Sequence, residues 1–189
     1  MNPYLNLARR QVLALASLVF GGLLLLNATT VSAHGPTRQK VTEKIEINAP
    51  ADKVWALISD FAGAASWLPM VESSTGEGGN EPGATRTLVL KPGAEIKELL
   101  KKYDADKMMY KYRIPGKTHD VKILPVTNYA STIKVTSNGT GSTVTWKAGF
   151  YRGYPNNDPP EELNDEAAVA AVTAVYKAGL ANLKKLAEQ

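Results

Sequence analysis

A change of period divides this chain and bounds the folds open to it. From Val41 to Phe150 apolar residues recur at every second position in short runs, and from Val169 they recur at every third or fourth. Alternation sends successive side chains to opposite faces of a strand, whereas spacings of three and four gather them on one side of a helix. The strand-like runs are Val41 to Ile47, Met70 to Ser74, Thr85 to Leu90, Ile96 to Leu100, Met108 to Ile114, Tyr129 to Val135 and Val144 to Phe150. Turn-rich stretches separate several of them: Gly76 to Gly83, Lys91-Pro92-Gly93 and Ser137 to Gly141. The closing stripe of Val169, Val172, Tyr176, Leu180, Leu183 and Ala187 follows Asp158-Pro159-Pro160-Glu161, which supplies a cap, an early proline and an acidic first turn. A helix of this kind must bury its stripe, and an antiparallel sheet is the only upstream partner able to cover it.

Between the first strand and the rest, Pro50 sits where the first turn of a helix accepts it, and Val54, Leu57, Ile58 and Phe61 follow at helical spacing. A second short helical piece, Ala62 to Ser66, should end at Trp67-Leu68-Pro69, because the residue before a proline is pushed out of the α region.

The first 33 residues read as a secretory signal. Arg9 and Arg10 precede an apolar run from Val12 to Leu26, and Val31-Ser32-Ala33 is a small-x-small cleavage site. An uncleaved membrane anchor and a twin-arginine signal are the alternatives that the same residues permit. Cleavage after Ala33 leaves 156 of the 189 residues, enough for one domain, with residues 34–40 as a flexible N-terminus and 41–187 as the folded unit. Arg9 and Arg10 are the sole charged residues removed, so the net charge falls from +4 to +2 and gives no reason to expect nucleic-acid binding. The destination is periplasmic, with no stable membrane association after cleavage. There is no cysteine, which excludes disulfides, thiolate nucleophiles and cysteine-ligated metals. His34 and His119 are the two histidines. A new N-terminal His34 could chelate copper, but two isolated histidines are ordinarily exposed polar residues, so neither a metal nor a cofactor is expected.

One hairpin carries charge on its apolar face. Arg86, Leu88 and Leu90 share a face of the first strand; Ile96, Glu98 and Leu100 share a face of the second. With Lys91-Pro92-Gly93 as the turn, Leu90 meets Ala94, Leu88 meets Ile96 and Arg86 falls opposite Glu98. Inward charges are costly unless paired, so this is either a structural ion pair or the polar end of a ligand pocket.

The order of elements, together with particular residues, resembles a known group. Those residues are Ile47-x-Ala49-Pro50-x-x-x-Val54-Trp55, Asp60-Phe61 with Trp67-x-Pro69, Gly83-x-x-Arg86, Ile96-x-Glu98-x-Leu100, Tyr110-x-Tyr112, Tyr129, and Val144-x-Trp146 before Phe150. Together they are similar to the polyketide cyclase/dehydrase group of the START/Bet v 1-like (SRPBCC) superfamily. The resemblance spans Val41 to Leu186 and implies an α+β helix-grip fold: a curved antiparallel sheet of about seven strands, two short helices after strand 1 and a long C-terminal helix. It also implies a cavity between sheet and helix. Arg86, Leu88, Glu98, Leu100, Tyr110, Tyr112, Tyr129, Trp146 and Tyr176 are the candidate lining residues, although core packing alone accounts for the aromatic ones. An apolar or aromatic ligand in a pocket of roughly 300 to 1,000 Å³ would suit them.

Two functions follow from the resemblance. An exported single domain is similar to periplasmic methanol-oxidation accessory proteins of the MxaD type, which implies a ligand-binding or accessory role beside a dehydrogenase or its cytochrome. Catalytic relatives imply instead a cyclase, dehydratase or isomerase, with Arg86 orienting an oxygen and Glu98 as general acid or base. The accessory role is favoured because no histidine or other oriented partner accompanies Glu98.

Overall fold

The computed structural model describes residues 35–91 and 93–189. The export signal, its cleavage site, His34 and Pro92 lie outside the described residues.

The chain forms β1 (Gln39–Ile47), α1 (Ala51–Ile58), a 3₁₀ segment (Phe61–Ser66), β2 (Val71–Glu77), β3 (Thr85–Leu90), β4 (Glu95–Asp104), β5 (Met109–Arg113), β6 (Val126–Ser137), β7 (Ser142–Arg152), a single 3₁₀ turn (Glu161–Leu163) and α2 (Asp165–Ala187). The strands make one antiparallel sheet in the order β1-β7-β6-β5-β4-β3-β2. Consecutive hairpins build β2 to β7, and β1 closes the far edge against β7. Register shifts at Val71/Ser73, Leu100/Lys102 and Thr127/Ala130 bend the sheet, as bulges do. Asn128, within the last of these, takes φ +49°.

The concave face supplies the core. Tyr110, Tyr112, Ile133, Val144, Trp146 and Phe150 from the strands are buried with Val172, Tyr176, Leu180 and Leu183 from α2. This is the helix-grip arrangement that the family resemblance implies. Gly179 allows the helix its close approach: a Cβ there would lie 2.8 Å from Leu68 Cδ2 and 3.0 Å from Trp146 Cζ3. Ala168 and Gly179 are buried members of the stripe, while Val169 is half-buried.

Three expectations from the sequence need correction. Gln39 and Lys40 are not part of a flexible N-terminus, because they pair with Phe150 and Gly149 and begin β1. The cap of the long helix is Asn164, whose side chain accepts from Ala167 N at 2.8 Å. Asp158 has φ +52°, which is incompatible with the extended backbone of an N-cap, and Pro160 opens the separate 3₁₀ turn instead.

Candidate functional site

The β3–β4 register places Arg86 opposite Glu98 and Leu88 opposite Ile96, and Leu90 N donates to Ala94 O at 2.7 Å. Arg86 Nε donates to Glu98 Oε2 at 2.6 Å, and the two side chains are 1% and 7% exposed. Arg86 Nη1 also donates to Phe61 O at 2.7 Å. The guanidinium carbon lies 4.2 Å from the Phe61 ring centroid and 5.1 Å from that of Tyr112. Arg86 therefore joins the sheet to the 3₁₀ segment through one carboxylate, one carbonyl and two ring faces. Burial is the largest single influence and opposes its charge, but Glu98 with Tyr110 and Tyr112 together outweigh it, and the guanidinium is held above its ordinary value.

A second polar group lies where β5, β6 and β7 face α2. Tyr129 and Tyr176 hydroxyls are 2.6 Å apart, and Tyr176 is 2.7 Å from Ser131 Oγ. Ser131 donates to Lys147 O at 3.1 Å and accepts from Trp146 Nε1 at 2.9 Å. The same indole N–H reaches the Tyr112 hydroxyl at 3.1 Å, and the Trp146 ring stacks on Tyr176 at 4.0 Å. Burial is the first cause that raises the Tyr112, Tyr129 and Tyr176 hydroxyls well above the ordinary phenol value, so all three are protonated donors at neutral pH.

Between these groups is a cavity of about 90 Å³. Of the residues singled out from sequence, Arg86, Leu88, Glu98, Tyr112, Tyr129 and Trp146 line it. Leu100, Tyr110 and Tyr176 do not. Tyr176 stands behind the wall, bonded to Tyr129; Tyr110 packs against Phe61 and Trp55, and Leu100 is enclosed in the core. The cavity is smaller than the expected pocket because these large aromatic side chains fill much of the space between sheet and helix. The rest of the wall is aliphatic: Leu68, Met70, Val71, Leu90, Ile96, Ile114, Leu124 and Val175, with Ile123. Ile123 is 45% exposed, which is unusual for a large apolar side chain, and it sits in the loop joining β5 to β6. Val121, Ile123 and Leu124, grouped around Lys122, were the available sign of that contribution. His119 braces the same loop, its Nε2 donating to Leu124 O at 3.1 Å, and it is half-buried rather than exposed.

The opposite, convex face is basic. Across β1, β7, β6 and β5, three adjacent register rows carry Lys40 and Arg113, then Lys147 and Lys111, then Lys44 and Lys134. All six are exposed, Thr, Gly, Ala and Met occupy the intervening positions, and no carboxylate lies in those rows on these four strands. On β4, Lys102 lies beside Lys111 and pairs with Asp104, the carboxylate that ends the third row. Alternation forces this separation: the neighbours of these cations in sequence, such as Tyr110, Ile133 and Trp146, are the concave core.

Fold and site together define a helix-grip protein with a cavity between sheet and helix, a member of the SRPBCC, or Bet v 1-like, superfamily. Residues 38–188 match the family described as polyketide cyclase / dehydrase and lipid transport, and the chain belongs to that family. No curated protein matches it. Similar solved structures include an uncharacterised protein from Bacillus thuringiensis, 30% identical with a TM-score of 0.66, where the match covers 80% of this chain and 100% of that one. The protein XoxI from Bacillus cereus is 31% identical with a TM-score of 0.65, over 78% of this chain and 94% of its own. Norcoclaurine synthase from Thalictrum flavum, solved in complex with dopamine and hydroxybenzaldehyde, is similar in fold at 20% identity and a TM-score of 0.58, over 86% and 93% of the two chains.

Proposed function

We propose that this protein is an exported, non-enzymatic accessory that holds a small, largely apolar ligand and docks on an acidic partner protein. The buried, directly hydrogen-bonded Arg86–Glu98 pair carries this reading. A catalytic arginine is aimed at developing charge, whereas Arg86 is held in place by Glu98 at Nε and by Phe61 O at Nη1 and lies over two aromatic rings. The partner reading draws support from the basic convex face, which would steer a negatively charged surface toward the sheet. A periplasmic dehydrogenase or its cytochrome is the partner we propose, in the manner of the MxaD-type methanol-oxidation proteins.

Electron transfer between methanol dehydrogenase and its cytochrome, measured with and without this protein over a series of salt concentrations, tests the role. Stimulation that fades as the Debye length falls below about 8 Å is expected. No effect at any salt would remove the partner reading. Turnover of a cyclisable or dehydratable substrate that disappears in Glu98→Gln would replace the non-enzymatic reading with the enzymatic one.

A further inference from the structure

We infer that the cavity recognises its ligand through a hydroxyl group, and that the ligand class is a small alcohol. This rests on the ligand-holding reading and follows from the direction of each hydrogen bond around the cavity. A carbonyl can only accept and an indole N–H can only donate. Ser131 therefore gives its one proton to Lys147 O and receives Trp146 Nε1. Its remaining contact, at 2.7 Å, must be a bond donated by Tyr176. With the Tyr176 proton so used, the 2.6 Å contact to Tyr129 is donated by Tyr129. The chain of protons runs away from the cavity, and Tyr129 turns toward it as an acceptor.

Two further groups complete the polar wall. Glu98 is the counter-charge that the buried Arg86 faces. Its Oε2 takes Arg86 Nε, and its Oε1 has no hydrogen-bond partner among the described residues. Tyr112 accepts from Trp146, while its own proton has no hydrogen-bonded acceptor among the described residues. The wall thus offers acceptors at Glu98 and Tyr129, and donors at Tyr112 and at the Arg86 N–H groups not taken by Glu98 and Phe61 O. A hydroxyl donates one proton and accepts others, so it can donate to Glu98 and accept from Tyr112 together. A ketone or aldehyde answers the donors but leaves the Glu98 acceptor unmet, and a hydrocarbon or halide leaves both unmet. The Arg86–Glu98 pair is neutral overall, which removes any reason to favour an ammonium or a carboxylate. An engineered cavity of about 150 Å³ holds benzene, so the about 90 Å³ here suits a body of a few carbon atoms.

Ligand-observed NMR titration of the full chain with 1-butanol, 2-butanone and 1-chlorobutane tests this. The alcohol should bind about tenfold or more tightly than either of the others, the ratio expected for a hydrogen bond to a charged acceptor. Tyr112→Phe should reduce butanol affinity several-fold and leave chlorobutane unchanged; Trp146 Nε1 retains Ser131 Oγ, so the variant creates no orphaned donor. Tyr176→Phe keeps the ring on Trp146 but removes the acceptor for Tyr129. The freed Tyr129 proton can then turn into the cavity, and butanone should gain on butanol. Equal binding of all three probes, or a preference for butanone in the unmodified protein, would overturn the hydroxyl inference while leaving the cavity a ligand site. Binding of none would overturn the ligand-holding reading and the inference with it.

Discussion

Removing one member of the Arg86–Glu98 pair should cost far more than removing both. Glu98→Leu leaves a guanidinium whose side chain is 1% exposed with only the Phe61 carbonyl and two ring faces to hold its charge. Arg86→Met strands a carboxylate that is 7% exposed, and also leaves the Phe61 carbonyl without its donor. Breaking a buried pair from one side costs about 3 to 5 kcal/mol, a large part of the roughly 5 to 15 kcal/mol that holds a domain folded. In the double variant the stranded charge disappears. What remains is the Phe61 carbonyl, about 1 to 3 kcal/mol if it finds no water, and the cation–π contacts, about 0.5 to 2 kcal/mol. The double substitution should therefore be no worse than either single one, with a coupling energy of at least about 3 kcal/mol. Urea unfolding of the four proteins, followed by tryptophan fluorescence, measures this directly. Single losses below about 1 kcal/mol that simply add would mean that water or ligand already solvates both charges, and would refute the argument from burial.

Gly179→Ala should destabilise the protein although alanine is the better helix former. The new methyl meets Leu68 and two indole rings, so an overpacking cost of about 1 to 3 kcal/mol should exceed the roughly 1 kcal/mol of propensity gained, and a rise in Tm would count against the packing described. Leu183→Ala, at a fully buried position of α2, should cost about 2 to 5 kcal/mol in the same urea assay, and a loss near zero would mean that the helix does not grip the sheet. Stability should fall at alkaline pH. The hydroxyls of Tyr112, Tyr129 and Tyr176 are raised in the folded state, so their contribution is complete below the unfolded value near pH 10 and declines above it, by up to roughly 1.4 kcal/mol per pH unit for each group. Thermal melts across that range, with phenolate absorbance appearing only in the unfolding transition for these three, check the sign.

Period carried most of the architecture into view. Two-residue alternation is enough to assign seven strands and to put Arg86 opposite Glu98, because a shift of one residue would have turned both to solvent. The start of α2 was less legible: Asp158 and Asn164 are both good caps by type, and the backbone angle at Asp158 and the Asn164 bond to Ala167 N separate them. Within the site, alternation identifies which side chains point inward but not how deep each one lies. Leu100 and Tyr110 share the inward face with true wall residues, yet sit where the core is closed. Ile123 and Leu124 were missed for a different reason. They reach the cavity from a loop, where no period marks direction.

The pairing of β1 with β7 has a consequence for how the chain reaches this structure. Gln39–Ile47 finds no neighbour in the sheet until Ser142–Arg152 has been made and delivered, about a hundred residues later. Until then an alternating strand waits with its edge open, and contacts of such long sequence separation form slowly. The six hairpin-linked strands can assemble as they emerge, whereas the last edge and the helix laid over it must come together at the end. A chaperone that shields the first strand would act on the slowest step, and a circular permutant that begins at β2 and joins β7 to β1 through α2 would remove the wait.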